Sequence, residues 1–398
     1  MAKKADNPPK TISDHFASLK DPRTPDKTDH RLIDVVTIAI CAVICGADGF
    51  TEIADYGKAK YDWFKGFLEL PNGIPSHDTF GRIFSLISPD GFQNCFQSWI
   101  QTVAALTSGE VVAIDGKCLR RSHDRSSNKA AIHMVNAWAS RNRVTIGQVK
   151  TDDKSNEITA IPELLNMLEL EGCVVTIDAM GCQTKIASAI VDKGADYVLA
   201  LKDNQANLSE DVKLYFEEAV QCGIDDYAIE TYKSVNGGHG RIETRKCYTC
   251  SDIDWLEAKA KWTGLKTIVR IDSERDVDGK IGNDTRYYIT SLENDPKRIL
   301  QAVRSHWGVE NSHHWVLDVA FREDESRIRK GHAAENFSVL RNIAANLLRK
   351  ETSSKRGIKS KRLRAGWDTD YLVKCLPLSE VMRLPWEKCR VALSWKDN

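Results

Sequence analysis

Val111-Val-Ala-Ile-Asp115 and Val174-Val-Thr-Ile-Asp178 are two copies of one local pattern, a β-branched apolar run that stops at an aspartate. Apolar residues in an unbroken row read as a strand buried on both faces, as in a parallel sheet. An aspartate closing such a strand lies at the rim of the sheet, where α/β folds bind ligands. Between the two runs lie two strand patterns and a helical one, Ala131–Ser140, Arg143–Lys150 and Glu157–Leu170. That is enough chain for a hairpin and a crossover returning the second strand beside the first, parallel to it. Parallel neighbours stand about 4.8 Å apart, so two carboxylates at equivalent ends can share a divalent cation that relieves their repulsion. Taken singly, each aspartate reads equally as a strand-end turn or helix-cap residue.

A third acid stands in His306-Trp-Gly-Val-Glu310-Asn. The periodicity predicts one helix from Pro296 through Glu310 to about Asp318. The spacing of Val303, His306, Trp307, His313, His314 and Leu317 puts Glu310 on or beside its apolar face. A carboxylate there needs a partner or a metal; the competing reading is a surface glutamate in a His-rich helix. Gly308 costs such a helix about 1 kcal/mol relative to alanine, which close approach of DNA or a backbone, or tight core packing, would explain. Oxygen ligands without His or Cys favour Mg²⁺ or Mn²⁺, and acids around a metal pair support in-line attack at phosphorus. Lys117, Arg120, Arg121 and Lys202 are candidate phosphate contacts, each equally readable as a solvated cation.

A chain of 398 residues calls for two or three domains. Lys+Arg and Asp+Glu both number 56, so overall charge says nothing for a polyanionic partner. Arg349–Arg364 is locally basic: Lys355, Arg356, Lys359, Lys361 and Arg362 belong to a candidate phosphate-binding strip or a solvated linker. Eleven scattered cysteines without a secretory leader fit a reducing cytosol, and the lone Cys247-x-x-Cys250 lacks a second ligand pair for zinc. The longest apolar stretch, Val35 to Ala47, is too short to span a bilayer and reads as a buried helix.

Residues 1–10 are polar and read as a flexible terminus. Residues 11–106 are helical in pattern, with Ser76 as an N-cap, and form an all-helical N-terminal domain. From Glu110 the order becomes β-β-β-α-β-α-β-α, a mixed sheet with helices on it. Four β-type runs follow within about 225–292, a β-rich insertion with turns such as Asn236-Gly-Gly-His-Gly240. The Pro296 helix, a helix over Ala333–Leu348 and a basic tail from 349 to 398 complete the chain.

Four segments together resemble the ISAs-type, H-repeat-associated insertion-sequence transposases of the DDE superfamily. They are Ala-Ile-Asp115-Gly-Lys, Thr-Ile-Asp178-Ala-Met-Gly-Cys-Gln, Tyr-Val-Leu-Ala-Leu-Lys202-Asp-Asn-Gln and His306-Trp-Gly-Val-Glu310-Asn. Ile74-Pro-Ser-His-Asp-Thr-Phe, His239-Gly-Arg-Ile-Glu-Thr-Arg245, His-Trp315-Val-Leu-Asp318 and Asn336–Leu348 extend the likeness over nearly the whole chain. The resemblance implies an RNase H-like (retroviral integrase-like) α/β catalytic domain at 107–348. Its triad would be Asp115, Asp178 and Glu310, holding two Mg²⁺ (or Mn²⁺) ions. It also implies DNA partners (the element's terminal repeats and its target), a homodimer on paired ends, and a bacterial cytoplasmic, nucleoid-associated location. Many relatives in the wider clan carry Tyr, Arg and Lys around the glutamate; here Val303, His306 and Leu317 take those places, and Arg304 or His306 is the nearest substitute for a DNA contact. Two alternatives stay open: a standalone metal-dependent nuclease on the same fold, and a catalytically silent DNA-binding descendant.

Overall fold

The computed structural model describes residues 12–25, 28–104, 106–123, 130–151, 157–238 and 240–376; the expected flexible terminus at 1–10, His239 and the tail beyond 376 lie outside them. In chain order the helices α1 (Ile12–Phe16), α2 (Leu32–Ile44), α3 (Phe50–Ala59), α4 (Tyr61–Lys65), α5 (His77–Leu86) and α6 (Pro89–Val103) come first. Strands β1 (Val111–Leu119), β2 (Ile132–Ala139) and β3 (Val144–Lys150) lead to α7 (Glu157–Asn166) and β4 (Val174–Ile177). Then follow α8 (Thr184–Asp192), β5 (Asp196–Leu201), α9 (Ala206–Cys222), β6 (Ile229–Gly238), β7 (Arg241–Cys250), β8 (Thr267–Val277) and β9 (Lys280–Thr290). Helices α10 (Pro296–His306), α11 (Trp315–Phe321), α12 (Ala333–Lys350), α13 (Ile358–Trp367) and α14 (Thr369–Cys375) close the described chain.

These elements form two compact units: Met1–Ala104 with Cys118–Ile132 and His314–Asn398, and Ala105–Lys117 with His133–His313. The units cut across the linear division at 106 and 348, because α12 belongs with the N-terminal helices. α2 is apolar around nearly its whole circumference and buried from Asp34 to Ile44, while α12 is buried from Asn336 to Leu348 with its polar Asn336, Arg341, Asn342 and Asn346 included. A helix apolar on all sides has to be surrounded. Here α12 packs on α2, α5, α6 and α13, and Asn336 donates to the carbonyls of Phe84 (2.9 Å) and Ile87 (3.0 Å) at the end of α5. The expected Ser76 cap is present, accepting from the Thr79 amide at 3.2 Å. The helix expected over Thr51–Leu68 is instead two, α3 and α4, parted at Lys60, whose φ of −108° leaves the helical range.

The second unit is mixed α/β, built on one nine-stranded sheet of order β3-β2-β1-β4-β5-β9-β8-β7-β6. Strands β1, β4 and β5 are parallel neighbours, as their unbroken apolar runs require, while β2–β3 and β6 to β9 are antiparallel. Buried Glu110 organises the β2–β3 turn by accepting from the Arg141 amide (2.6 Å) and the Asn142 side chain (3.0 Å). The β-rich region extends this same sheet through pairing of β9 with β5. Its strands run longer than the sequence pattern indicated; the outer half of β9, for example, is exposed on both faces and carries no alternation. Cys247 and Cys250 lie three apart on the continuous strand β7, so their side chains leave opposite faces of the sheet. They cannot close on one metal.

Candidate active site

Register brings the two repeated strand ends together. Val111 pairs with Val174 and Ile114 with Ile177, so Asp115 and Asp178 follow side by side where the parallel pairing ends; β4 stops there as expected, but β1 does not stop at Asp115 and runs on to Leu119. Asp178 also performs the turn function that each suggested singly, whereas Asp115 sits within the continuing strand. Asp178 Oδ1 accepts from the amides of Met180 (3.1 Å) and Gly181 (3.3 Å), and Asp115 Oδ1 from that of Gly116 (2.9 Å). Gly181 is required for that turn: a Cβ there would lie 2.3 Å from Ile177 Cγ2.

Glu310 reaches the same place from a widened helical turn. Between α10 and α11 the helix passes through a π turn, Val309–His314. Val309 is buried against Ala113 of β1 and Trp138 of β2, and Ala113 shares a strand face with Asp115. His313 is buried too, stacked on Trp138 at 5.1 Å, its Nε2 3.3 Å from Thr145 Oγ1. Glu310 itself is exposed. The expectation that it sits on or beside the apolar face is corrected, for a physical reason: a π turn inserts one residue, so α-helical spacing no longer sorts side chains onto faces. Gly308 is not demanded by tight packing, since an added Cβ would meet Trp138 Nε1 at an ordinary 3.8 Å.

Asp115, Asp178 and Glu310 all line one open cleft of about 570 Å³, together with Lys202, Arg286 and His306. Burial, then the charges of Glu157, Asp178 and Glu310, push the Asp115 carboxyl up to about 7. Asp178 is raised as well, first by burial and then by Glu157, against the pull of two backbone amides and Lys202. Glu157 was missed in the sequence, because an acid in the first turn of a helix is an ordinary dipole partner. It bonds His133 Nε2 at 2.7 Å, which raises that imidazole.

Among the described residues no group of three or more His, Cys, Asp or Glu side chains is already arranged to grip a metal ion. The donor chemistry nevertheless fits one: carboxylate oxygens whose carboxyls are raised first by burial and then by neighbouring negative charge, which a hard divalent cation would offset.

The candidate phosphate contacts divide sharply. Lys202 lines the cleft, and Lys117 is half-buried at the end of β1. Arg304 is exposed and bonds Asn236 at 3.2 Å. His306 is corrected as a cationic contact: burial lowers it to about 4, leaving it neutral beside Thr176 Oγ1 at 3.1 Å. Arg286, which sequence reasoning passed over, lines the cleft and stacks over the Trp307 ring at 4.6 Å. In the helical unit Arg120 is exposed and pairs with Asp324 at 3.2 Å, Arg121 is exposed, and so are Lys355, Arg356 and Lys359. Lys361 and Arg362 are corrected outright. Both are buried and spend their donors on backbone carbonyls, Lys361 on Leu348 and Arg362 on Val43 and Ala47.

Comparison with known proteins decides the family. Residues 107–347 match the family described as Transposase DDE domain, and residues 13–100 the one described as DDE_Tnp_1-associated. The chain belongs to the DDE transposase family. The family chain is 42% identical over 372 residues to "Putative transposase YncI" of Escherichia coli O157:H7, covering 92% of this chain and 94% of the relative. It is 40% identical over 374 residues to "H repeat-associated putative transposase YhhI" of Escherichia coli K12, covering 92% and 98%. Among solved structures, a piggyBac transposase synaptic complex with hairpin DNA aligns at a TM-score of 0.45 and 12% identity, over 95% of this chain and 82% of that one. That likeness is too distant to build on. DDE transposases are generally dependent on a divalent metal. No helix among the described residues is long and apolar enough to cross a membrane.

Proposed function

We propose that this DDE-family chain is a DNA transposase whose catalytic acids are Asp115, Asp178 and Glu310. It binds the ends of its mobile element, cuts the phosphodiester backbone and joins the 3′-ends to a target. The observation that carries the reading is the convergence of these acids, two from register-matched positions on β1 and just past β4 and one from the π turn, on one cleft also lined by Lys202 and Arg286. Strands β3-β2-β1-β4-β5, with β1, β4 and β5 parallel, are read as an RNase H-like core.

Asp115, Asp178 and Glu310 would hold the Mg²⁺ or Mn²⁺ ions. Bound there, the ions supply activation of the attacking hydroxyl and stabilisation of the leaving oxygen. The protein's own part is positioning. The amides of Gly116, Met180 and Gly181 orient the two aspartates, Val309 and His313 anchor the turn that presents Glu310, and Lys202 and Arg286 offer charge to the phosphates. Neutral His306 adds a hydrogen-bonding wall rather than a cation. The helical unit, with exposed Lys355, Arg356 and Lys359, is the proposed reader of element ends, acting as a homodimer on paired ends.

Incubating the chain with labelled DNA of its own element's ends, a target plasmid and Mg²⁺ tests the reaction class. Joined products are expected. Cleaved but unjoined ends would make the protein a nuclease, and binding without any cutting would make it a silent descendant.

A further inference from the structure

Glu157 and His133 form a pair that the triad does not use. Glu157 opens α7, and its carboxylate lies against Gly116 of β1 instead of pointing to solvent; only 15% of its side chain is exposed. A Cβ built on Gly116 would fall 1.9 Å from Glu157 Oε1 and 2.4 Å from His133 Nε2. Both groups therefore rest directly on the backbone one residue beyond Asp115, and only glycine at 116 leaves room for them. His133, on β2, fixes Oε1 at 2.7 Å. Beyond its bond to His133, this semi-buried carboxylate lies near like charges, a repulsion that a shared cation would relieve.

We infer that Glu157, held by His133, is a fourth carboxylate of the site and contributes to divalent-cation binding on the Asp115 side. His133 is its positioning residue, in the manner of outer partners that orient metal ligands. This rests on the proposed metal-dependent reading of the same cleft.

The test is Mn²⁺ binding to the full chain, without DNA or turnover, followed by electron paramagnetic resonance of free Mn²⁺. Wild type is expected to bind and Asp115→Asn to lose binding. Glu157→Gln is expected to weaken binding by about tenfold, and His133→Ala to weaken it partly, with His133→Gln, which keeps a donor, recovering some of that loss. Gly116→Ala, which crowds the Glu157 carboxylate without touching its charge, is expected to reproduce the Glu157→Gln loss. Melting curves in chelator check that each variant is folded. Wild-type affinity in both Glu157→Gln and Gly116→Ala, with Asp115→Asn deficient, overturns the role of Glu157 alone. Absence of Mn²⁺ binding by the wild type overturns the metal reading and the fourth carboxylate with it.

Discussion

Asp115 stores repulsion. Its carboxyl is driven up to about 7 by burial and by Glu157, Asp178 and Glu310, far above the usual aspartate value. An acid whose pKa is raised on folding contributes stability that is whole below its unfolded value and lost as pH rises through the folded one. The metal-free chain should therefore lose stability between about pH 4 and 7 through this group, on the order of 2–4 kcal/mol. Asp115→Asn removes the charge, so in chelator at pH 8 it should be more stable than wild type, and at pH 4 indistinguishable from it. Urea denaturation at the two pH values measures this, and equal stabilities at pH 8 would mean the acids do not strain one another. At this scale the sequence was legible where a strongly patterned apolar run gave way to an acid, although β1 itself runs on past Asp115 to Leu119. Asp115 and Asp178 stood out for that reason. Glu157 did not, because its place beside Gly116 arises from the packing of α7 on β3, which no local pattern encodes.

Between elements, the decisive contacts come from residues whose sequence signal pointed elsewhere. The run from Arg349 to Arg364 is basic, and basic runs commonly face solvent or phosphate. Lys361 and Arg362 instead satisfy the last carbonyls of helices, which lack intrahelical partners and carry the negative end of the dipole. Arg362 donates to Val43 and Ala47 at the end of α2, to Asp48 at 3.1 Å and to Ala320 at the end of α11, while lying over the Phe321 ring at 4.2 Å. Lys361 does the same for α12 through Leu348 and Glu351. Replacing Arg362 with Met should cost about 3 kcal/mol, because Asp48 and the carbonyls lose their buried partner. Lys355→Ala should leave stability within about 0.5 kcal/mol. Chemical denaturation of both variants separates the structural from the exposed half of the strip; equal stabilities would contradict the capping role. The π turn was hidden in the same way. Periodicity assumes a constant helical step, so it gave the helix correctly but turned Glu310 toward the wrong face.

For the whole molecule, element types and their order were largely readable, since long apolar runs and helical periods survive whatever surrounds them. The way the chain is shared between two compact units was not, because the partners of α2 and α12 lie far apart in sequence. The proposed function requires the three acids to act as one centre on DNA. Its most direct test is a Mg²⁺-dependent cleavage assay on the element's own ends with wild type, Asp115→Asn, Asp178→Asn and Glu310→Gln, run beside a binding assay on the same DNA. All four proteins should bind the ends, and only the wild type should cut. Wild-type cleavage by any of the three variants would contradict the triad.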